Sequence, residues 1–384
     1  MCDWMKIRKD FPVTKKFTYF QSAAMSPLAR PVYEAIVKNY RAIYEFGDKR
    51  WDEDLLAYKK MLRSIGGLLN TEPENLTFMA NTSTATALIA LALKNNAPRP
   101  FNVVSLEDEF PASTIGFEYQ GIPMRYVQPR GGVYSINSIL DHTDNDTLAV
   151  VTSYVQYATG FRLDIEALGR ALGRRDILFI VNATQAFPFY PVDIQRMHID
   201  VMTASLHKWG LTGHLGSLFF SSKAFREQFP PPIAGWLSVD SDEGLIHTAK
   251  NASFRLHSSA RRYEFGTFNL QTLLAFQTAL DYIKTIGFAN IRKRIKDLTD
   301  YLIAGLQDAG ITIISPIDIP EARSAIVTFK PQLDYAACVK ALEKKNILVS
   351  PRAGYVRVAV NIFNSFDDID RLLEALKCLP EDRV

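Results

Sequence analysis

The stretch Ile199-Asp200-Val201-Met202-Thr203-Ala204-Ser205-Leu206-His207-Lys208-Trp209 decides how this chain is read. Its apolar first half has the composition of a strand buried on both faces. The strand runs into Ser-x-His-Lys, which gathers a hydroxyl, an imidazole and an amine at one edge of a sheet. A lysine there can form a Schiff base with an aldehyde cofactor, while Ser205 and His207 can hold that cofactor's phosphate. The alternative is that Lys208 is one more surface lysine. What lies upstream decides between the two.

Outward from this stretch, residues from about Asn75 to Ser222 alternate short apolar runs with helical spacing. The runs are Leu76-Met79, Asn102-Leu106, Leu148-Thr152, Ile177-Val181, Val201-Ala204 and Ser217-Phe220. Helical spacing falls at Thr84-Lys94, Ala112-Tyr119 and Asp164-Leu172. Strand, helix, strand in repetition predicts an α/β fold with a mostly parallel sheet covered by helices on both faces. Ligands of such sheets bind at the carboxyl ends of the strands. After Gly266 the pattern changes to a long helical stretch, Leu270 to Leu306. The runs Ile311-Ile314, Ala325-Phe329, Ile347-Ser350 and Tyr355-Ala359 follow, with helices near Tyr335-Lys345 and Phe366-Cys378. The expected organisation is a large domain over 21–269 and a smaller α+β domain over 270–384. Residues 1–20 are expected to pack with the smaller one.

Five further segments carry candidate chemistry. In Phe78-Met79-Ala80-Asn81-Thr82-Ser83, Thr82 and Ser83 stand where a helix begins. They either cap the helix or bind an anion there. In Asp108-Glu109-Phe110-Pro111, Phe110 can stack on a flat ring or fill a core. In Val155-Gln156-Tyr157-Ala158-Thr159-Gly160, Tyr157 either reaches a ligand hydroxyl or belongs to a turn closed by glycine. Asn182 and Gln185 leave the end of the run Phe179-Ile180-Val181. The last segment is Arg262-Tyr263-Glu264-Phe265-Gly266-Thr267, with Arg357 further on in Tyr355-Val356-Arg357-Val358.

Taken in order, these motifs resemble the class V aminotransferase family of pyridoxal-phosphate enzymes, which includes cysteine desulfurases, kynureninases and isopenicillin N epimerase-like proteins. The resemblance runs from Tyr19-Phe20-Gln21-Ser22-Ala23-Ala24 to Ile362-Phe363-Asn364-Ser365. It implies fold type I, a homodimer with shared active sites and pyridoxal 5′-phosphate as cofactor. It implies that Lys208 carries the cofactor, that Thr82, Ser83, Ser205 and His207 bind its phosphate, and that Thr267 reaches the neighbouring subunit's phosphate. Phe110 would stack on the ring, Gln185 would contact the ring hydroxyl and Tyr157 would reach a cofactor hydroxyl. Trp236, in Gly235-Trp236-Leu237-Ser238, matches a kynureninase-like loop near the phosphate. Arg357 would clamp the substrate carboxylate, as a guanidinium fork suits, although a solvated strand arginine is the other reading.

Three departures narrow the function. Asn182 stands where the family has an aspartate that keeps the pyridine nitrogen protonated. The segment Pro351-Arg352-Ala353-Gly354-Tyr355 is short and lacks the nucleophilic cysteine of desulfurases, which argues against desulfuration through a persulfide. Tyr157 replaces a desulfurase asparagine.

Composition sets outer bounds. The chain has 384 residues, 47% hydrophobic and 22% charged, which suits a globular protein with two cores. Its net charge of +3 comes from scattered basic residues, so no nucleic-acid stripe is expected. Residues 1–10 lack a secretory h-region, and the apolar stretch from Ala85 to Leu93 is too short to cross a bilayer. Three cysteines without pairing motifs suggest a cytoplasmic home. No HExxH, P-loop or GxGxxG occurs, so metal hydrolysis and nucleotide chemistry are not expected. The expected activity is that of an enzyme acting at the α-carbon of an amino acid, nominally an aminotransferase. A lyase, an epimerase or a non-catalytic relative are the alternatives.

Overall fold

The computed structural model describes residues 2–241, 253–352 and 354–379. After a short strand β1 (Thr18–Tyr19), seven strands form one sheet: β2 (Leu76–Met79), β3 (Asn102–Leu106), β4 (Met124–Val127), β5 (Thr147–Ser153), β6 (Leu178–Asn182), β7 (Val201–Ser205) and β8 (Ser217–Ser221). Their spatial order is β2-β8-β7-β6-β5-β3-β4. The pairings from β7 to β4 are parallel, and β8 runs antiparallel to both its neighbours. The expected α/β fold with a mostly parallel sheet is the fold observed. Every residue of β2, β3, β7 and β8 is buried, which explains why these strands read as continuous apolar runs. β4 escaped the sequence reading, because three of its four residues are only half-buried and its run is short.

Two long helices, Arg30–Phe46 and Trp51–Leu69, precede the sheet and were not anticipated. The expected helical stretch over 270–306 is two helices, Leu270–Ile286 and Phe288–Asp308. They break at Gly287, whose φ of +89° lies in the left-handed region open to glycine. The first of the pair packs on Arg30–Phe46 and Trp51–Leu69.

A small antiparallel pair, β9 (Val239–Asp240) and β10 (Arg255–Leu256), follows the large sheet. The C-terminal part contains β11 (Ile326–Phe329), β12 (Ile347–Leu348), β13 (Ser350–Arg352) and β14 (Tyr355–Ala359). β11, β14 and β13 form an antiparallel sheet in that order. The run Ile311-Ile314, expected as a strand, contributes only a single bridge, Ile313 to Phe329.

The N-terminal segment is tied to the C-terminal part. β1 pairs in parallel with β12, and Gln21 bridges to Ala359. Arg8 forms an ion pair with Asp368 at 2.6 Å and donates to the Phe363 carbonyl. One apolar cluster includes Phe11 and Phe20, crosses one face of the large sheet and reaches Phe363 and Leu372. A second cluster, including Ile89, Leu93, Val103 and Phe219, fills the other face under the helix Thr82–Asn96. No described helix is long and apolar enough to cross a membrane.

Candidate active site

The parallel strands β5, β6 and β7 end side by side. In register, Ser153 lies opposite Asn182, and Asn182 opposite Thr203, two residues before Ser205. The chain leaves β7 directly into His207 and Lys208. A cavity of about 200 Å³ opens there, lined by Thr82, Ser83, Phe110, Tyr157, Asn182, Gln185, Ser205, His207 and Lys208. All of these were expected from the sequence to act together.

Lys208 is buried, with its Nζ 5.4 Å from the centre of the Phe110 ring. Burial, and then the positive charges of Arg357 and Arg352, push its amine down to about 7. Desolvation disfavours the ammonium, and no carboxylate offsets that effect. A neutral amine is the form that attacks a carbonyl. Phe110 meets Tyr157 edge-on, with ring centres 5.1 Å apart and planes at 75°. The two rings form one side of the cavity.

The helix Thr82–Asn96 begins at the wall of the same cavity. Asn81 caps it, its Oδ1 accepting from the Thr84 N–H at 2.8 Å. With the cap supplied by Asn81, Thr82 and Ser83 are left free to face the cavity. The Thr82 and Ser205 hydroxyls lie 2.6 Å apart. The first turn of a helix directs N–H groups and a positive dipole end outward, which suits an anion. The His207 ring lies against that of His214, with centres 4.7 Å apart and planes tilted at 44°. Burial, then Lys208 and His214, push His207 down to about 4, so it is a neutral ring in the wall of the cavity.

The middle of the cavity is held by amides. Asn182 donates from Nδ2 to the Ser113 hydroxyl at 3.0 Å, and its Oδ1 accepts from the Thr184 N–H at 3.1 Å. Gln185 accepts from the Trp209 indole N–H at 2.9 Å and donates to the Ala23 carbonyl at 2.9 Å. Behind Phe110, the buried Glu109 carboxylate accepts from the Ser153 N–H and hydroxyl and from Gln156 Nε2. Burial raises its pKa. Sequence reasoning quoted Glu109 only as a neighbour of Phe110. Nothing in one sequence distinguishes an acid that turns inward at a strand end from one that faces water. Ser113, Thr184 and His214 were missed for the same reason.

Arg357 lies at the middle of β14, opposite Thr328 and Ser350. It is fully buried, and its Nη1 donates to the Tyr157 carbonyl at 2.6 Å. Its Nε and Nη2 are buried without a hydrogen-bond partner. Burial and the Arg352 charge push it down to about 9. A buried guanidinium with two free donors is costly unless an anion meets it. The other reading, a solvated strand arginine, fails on this burial.

Two expected residues stand apart. Thr267 lines a neighbouring cleft that shares Asn81, Ser205 and His207 with the Lys208 cavity. Trp236 is half-exposed on the turn Trp236–Ser238 and lines neither space. The turn between β13 and β14 is tight, since Arg352 pairs with Tyr355; Ala353 itself lies outside the described residues. No cysteine lines the cavity: Cys338 is buried in the helix Tyr335–Lys344, Cys2 donates to the Ile286 carbonyl, and Cys378 ends the last helix. Among the described residues no cluster of three or more His, Cys, Asp or Glu could hold a metal.

This donor set fits pyridoxal phosphate. A buried amine whose ammonium form is disfavoured is offered to the aldehyde, a helix N-terminus with two hydroxyls to the phosphate, and an aromatic face and an amide to the ring.

Comparison with known proteins agrees. A family model described as Aminotransferase class-V matches residues 18–372. A probable cysteine desulfurase of Pyrococcus abyssi is 24% identical, with 97% of this chain and 96% of that protein covered. An isopenicillin N epimerase of Amycolatopsis lactamdurans is 24% identical, covering 97% of this chain and 98% of the other. The apo structure of a cysteine desulfurase from Thermococcus onnurineus NA1 matches with a TM-score of 0.87 at 20% identity, over 98% of both chains. The chain belongs to the aminotransferase class-V family, and with that membership comes pyridoxal 5′-phosphate as its cofactor.

Proposed function

We propose that this protein is a pyridoxal-phosphate-dependent lyase that expels a leaving group from Cβ of an amino acid. This reading replaces the nominal aminotransferase, which rested on the family's label alone. The observation that carries it is Asn182. When bound, the cofactor supplies a sink for the electron pair left at Cα, and that sink is strongest when its ring nitrogen is protonated. Asn182 bears no charge to keep that proton, and its amide is already engaged by Ser113 and the Thr184 N–H. With a weaker sink, the favoured reactions let the electron pair leave Cα at once. Elimination does so by sending it out with the β-substituent.

The surrounding residues suit such a step. Arg357 would take the α-carboxylate with Nε and Nη2, fixing which Cα bond stands perpendicular to the ring. Lys208 would take the Cα proton and return it to the leaving group. Arg357 is tied to the wall of the Lys208 cavity through the Tyr157 carbonyl, and neither task needs a second amine acceptor. The probable cysteine desulfurase among the relatives also fits removal of a β-substituent. A desulfurase mechanism through a cysteine nucleophile is not proposed, because no cysteine lines the cavity.

The test is incubation with β-chloro-L-alanine. Elimination yields pyruvate, ammonia and chloride. Formation of β-chloropyruvate with chlorine retained would restore the aminotransferase reading. Recovery of the D-enantiomer would point to an epimerase. Loss of pyruvate formation in Lys208→Ala assigns the turnover to this cavity.

A further inference from the structure

A second recess lies beside Phe110. It has a volume of about 430 Å³ and shares Ser83, Phe110 and Ala112 with the Lys208 cavity. The rest of its wall is made chiefly by Ala87, Pro111, Ile115, Gly116 and Tyr119, and no charged side chain contributes. We propose that this recess receives the substituent of the departing group, so that preferred substrates are amino acids bearing an alkyl- or arylthio group on Cβ. The proposal rests on the elimination reading above.

Three observations support it. The first is adjacency: Ser83, Phe110 and Ala112 belong to both spaces, so a substituent on a Cβ beside the Phe110 ring would lie next to the recess. The second is character. Ile115 is 56% exposed and Tyr119 86% exposed, next to the 39% exposed Phe110. Large apolar side chains gathered around a concave surface mark a site for an apolar ligand. The third is shape. The short helix Ile115–Tyr119 lies so close to the helix Thr82–Asn96 that a Cβ on Gly116 would come within 3.0 Å of the Ala87 Cα. Gly116 and Ala87 let the two helices meet there, and this closed crossing forms part of the wall of the recess. Arg357 supplies the opposite requirement, a place for the carboxylate, so the two ends of the substrate would be told apart by charge.

The bonds balance as follows. The Cα–H bond breaks and its proton passes to Lys208. The Cβ–S bond breaks with its electron pair on sulfur, and the proton from Lys208 makes the thiol. The released aminoacrylate adds water and becomes pyruvate and ammonia. Sulfur suits this step better than oxygen. A thiol has a pKa of about 8.5, far below that of an alcohol, and so leaves more readily.

The experiment compares S-methyl-, S-propyl-, S-phenyl- and S-carboxymethyl-L-cysteine with the holoenzyme, following thiol and pyruvate, with β-chloro-L-alanine as control. The expected result is a rise in kcat/KM of about tenfold from S-methyl to S-propyl, whose thiols leave equally well, on the scale of two buried methylenes. The S-carboxymethyl compound should fall below S-methyl. Ile115→Asp should lower the S-phenyl to S-methyl ratio by about tenfold. Equal kcat/KM for S-methyl and S-propyl with active β-chloro-L-alanine overturns the recess and leaves elimination standing. Absence of pyruvate from every compound, the control included, overturns both. Sedimentation of Ile115→Asp gives a further check. Dissociation of an oligomer with an unchanged thioether ratio would show that a second copy of the chain covers the patch, and would also overturn the proposal.

Discussion

Arg357 of β14 donates from Nη1 to the backbone carbonyl of Tyr157 at 2.6 Å, and this single bond leaves its Nε and Nη2 buried and unmet. The carbonyl thus fixes the guanidinium with its remaining donors available. Each charge-assisted bond to a substrate carboxylate contributes about 1.5–3 kcal/mol. Arg357→Gln should lower kcat/KM by on the order of 10²–10⁴. Arg357→Lys should recover only part of this, because an ammonium lacks the planar fork. Steady-state kinetics decide it, and an Arg357→Gln variant within twofold of wild type would remove the clamp.

Lys208 sets a pH dependence. Burial, Arg357 and Arg352 hold its amine at about 7 instead of the usual 10.5. Uptake of pyridoxal phosphate by the apoprotein needs the neutral amine. Its rate should rise about tenfold per pH unit below 7 and level off above, as a single titration requires. Between pH 7 and 10.5 the unfolded chain binds a proton at this site that the folded chain does not. Apoprotein stability therefore gains a contribution that rises with pH across that window. Lys208→Met should abolish that contribution, and thermal melts of both proteins across the window would show it.

Asn182→Asp should change what happens at Cα. An aspartate beside the ring nitrogen would favour its protonated form and lengthen the life of the carbanion. More of the substrate should then exchange its α-hydrogen with solvent before any product leaves. Mass spectrometry of substrate recovered from deuterium oxide gives the number of exchanges per elimination. If the ratio is unchanged, Asn182 does not govern the electron sink.

Gly160 links the Tyr157 turn to the C-terminal sheet. Its φ is +75°, and a Cβ placed there would meet the Ile326 carbonyl at 2.4 Å. Gly160→Ala should destabilise the fold by about 1–3 kcal/mol, through backbone strain and this clash. It should also lower activity by displacing Tyr157 and so Arg357. Urea unfolding and kcat/KM together test this, and a neutral variant would mean that the turn relaxes freely.

Much of the site was legible because chemistry and strand ends are local in the chain. Six of the seven strands of the large sheet appear as apolar runs, and their buried faces leave no other arrangement for those residues. Two of these runs lead into polar residues that line the cavity: Ser205, His207 and Lys208 at the end of β7, Asn182 and Gln185 at the end of β6. The helices Arg30–Phe46 and Trp51–Leu69 were overlooked because their exposed faces are rich in aromatic and aliphatic residues such as Tyr33, Tyr44 and Leu56. Both nevertheless carry apolar residues at helical spacing, as Tyr58, Met61, Leu62, Ile65 and Leu69 show on the buried face of the second.

The sequence by itself determined six strands of the large sheet, the lysine, the uncharged Asn182 and the absence of a cysteine near β14. These depend on residue identity and short-range pattern. Only the tertiary structure decided that Arg357 is buried beside a turn 200 residues away, and that Glu109 turns inward onto Ser153. It also decided that a recess without charge adjoins the Lys208 cavity through Phe110. Those facts depend on which distant segments exclude water from one another, and burial of that kind is a property of the packed chain that no local pattern encodes.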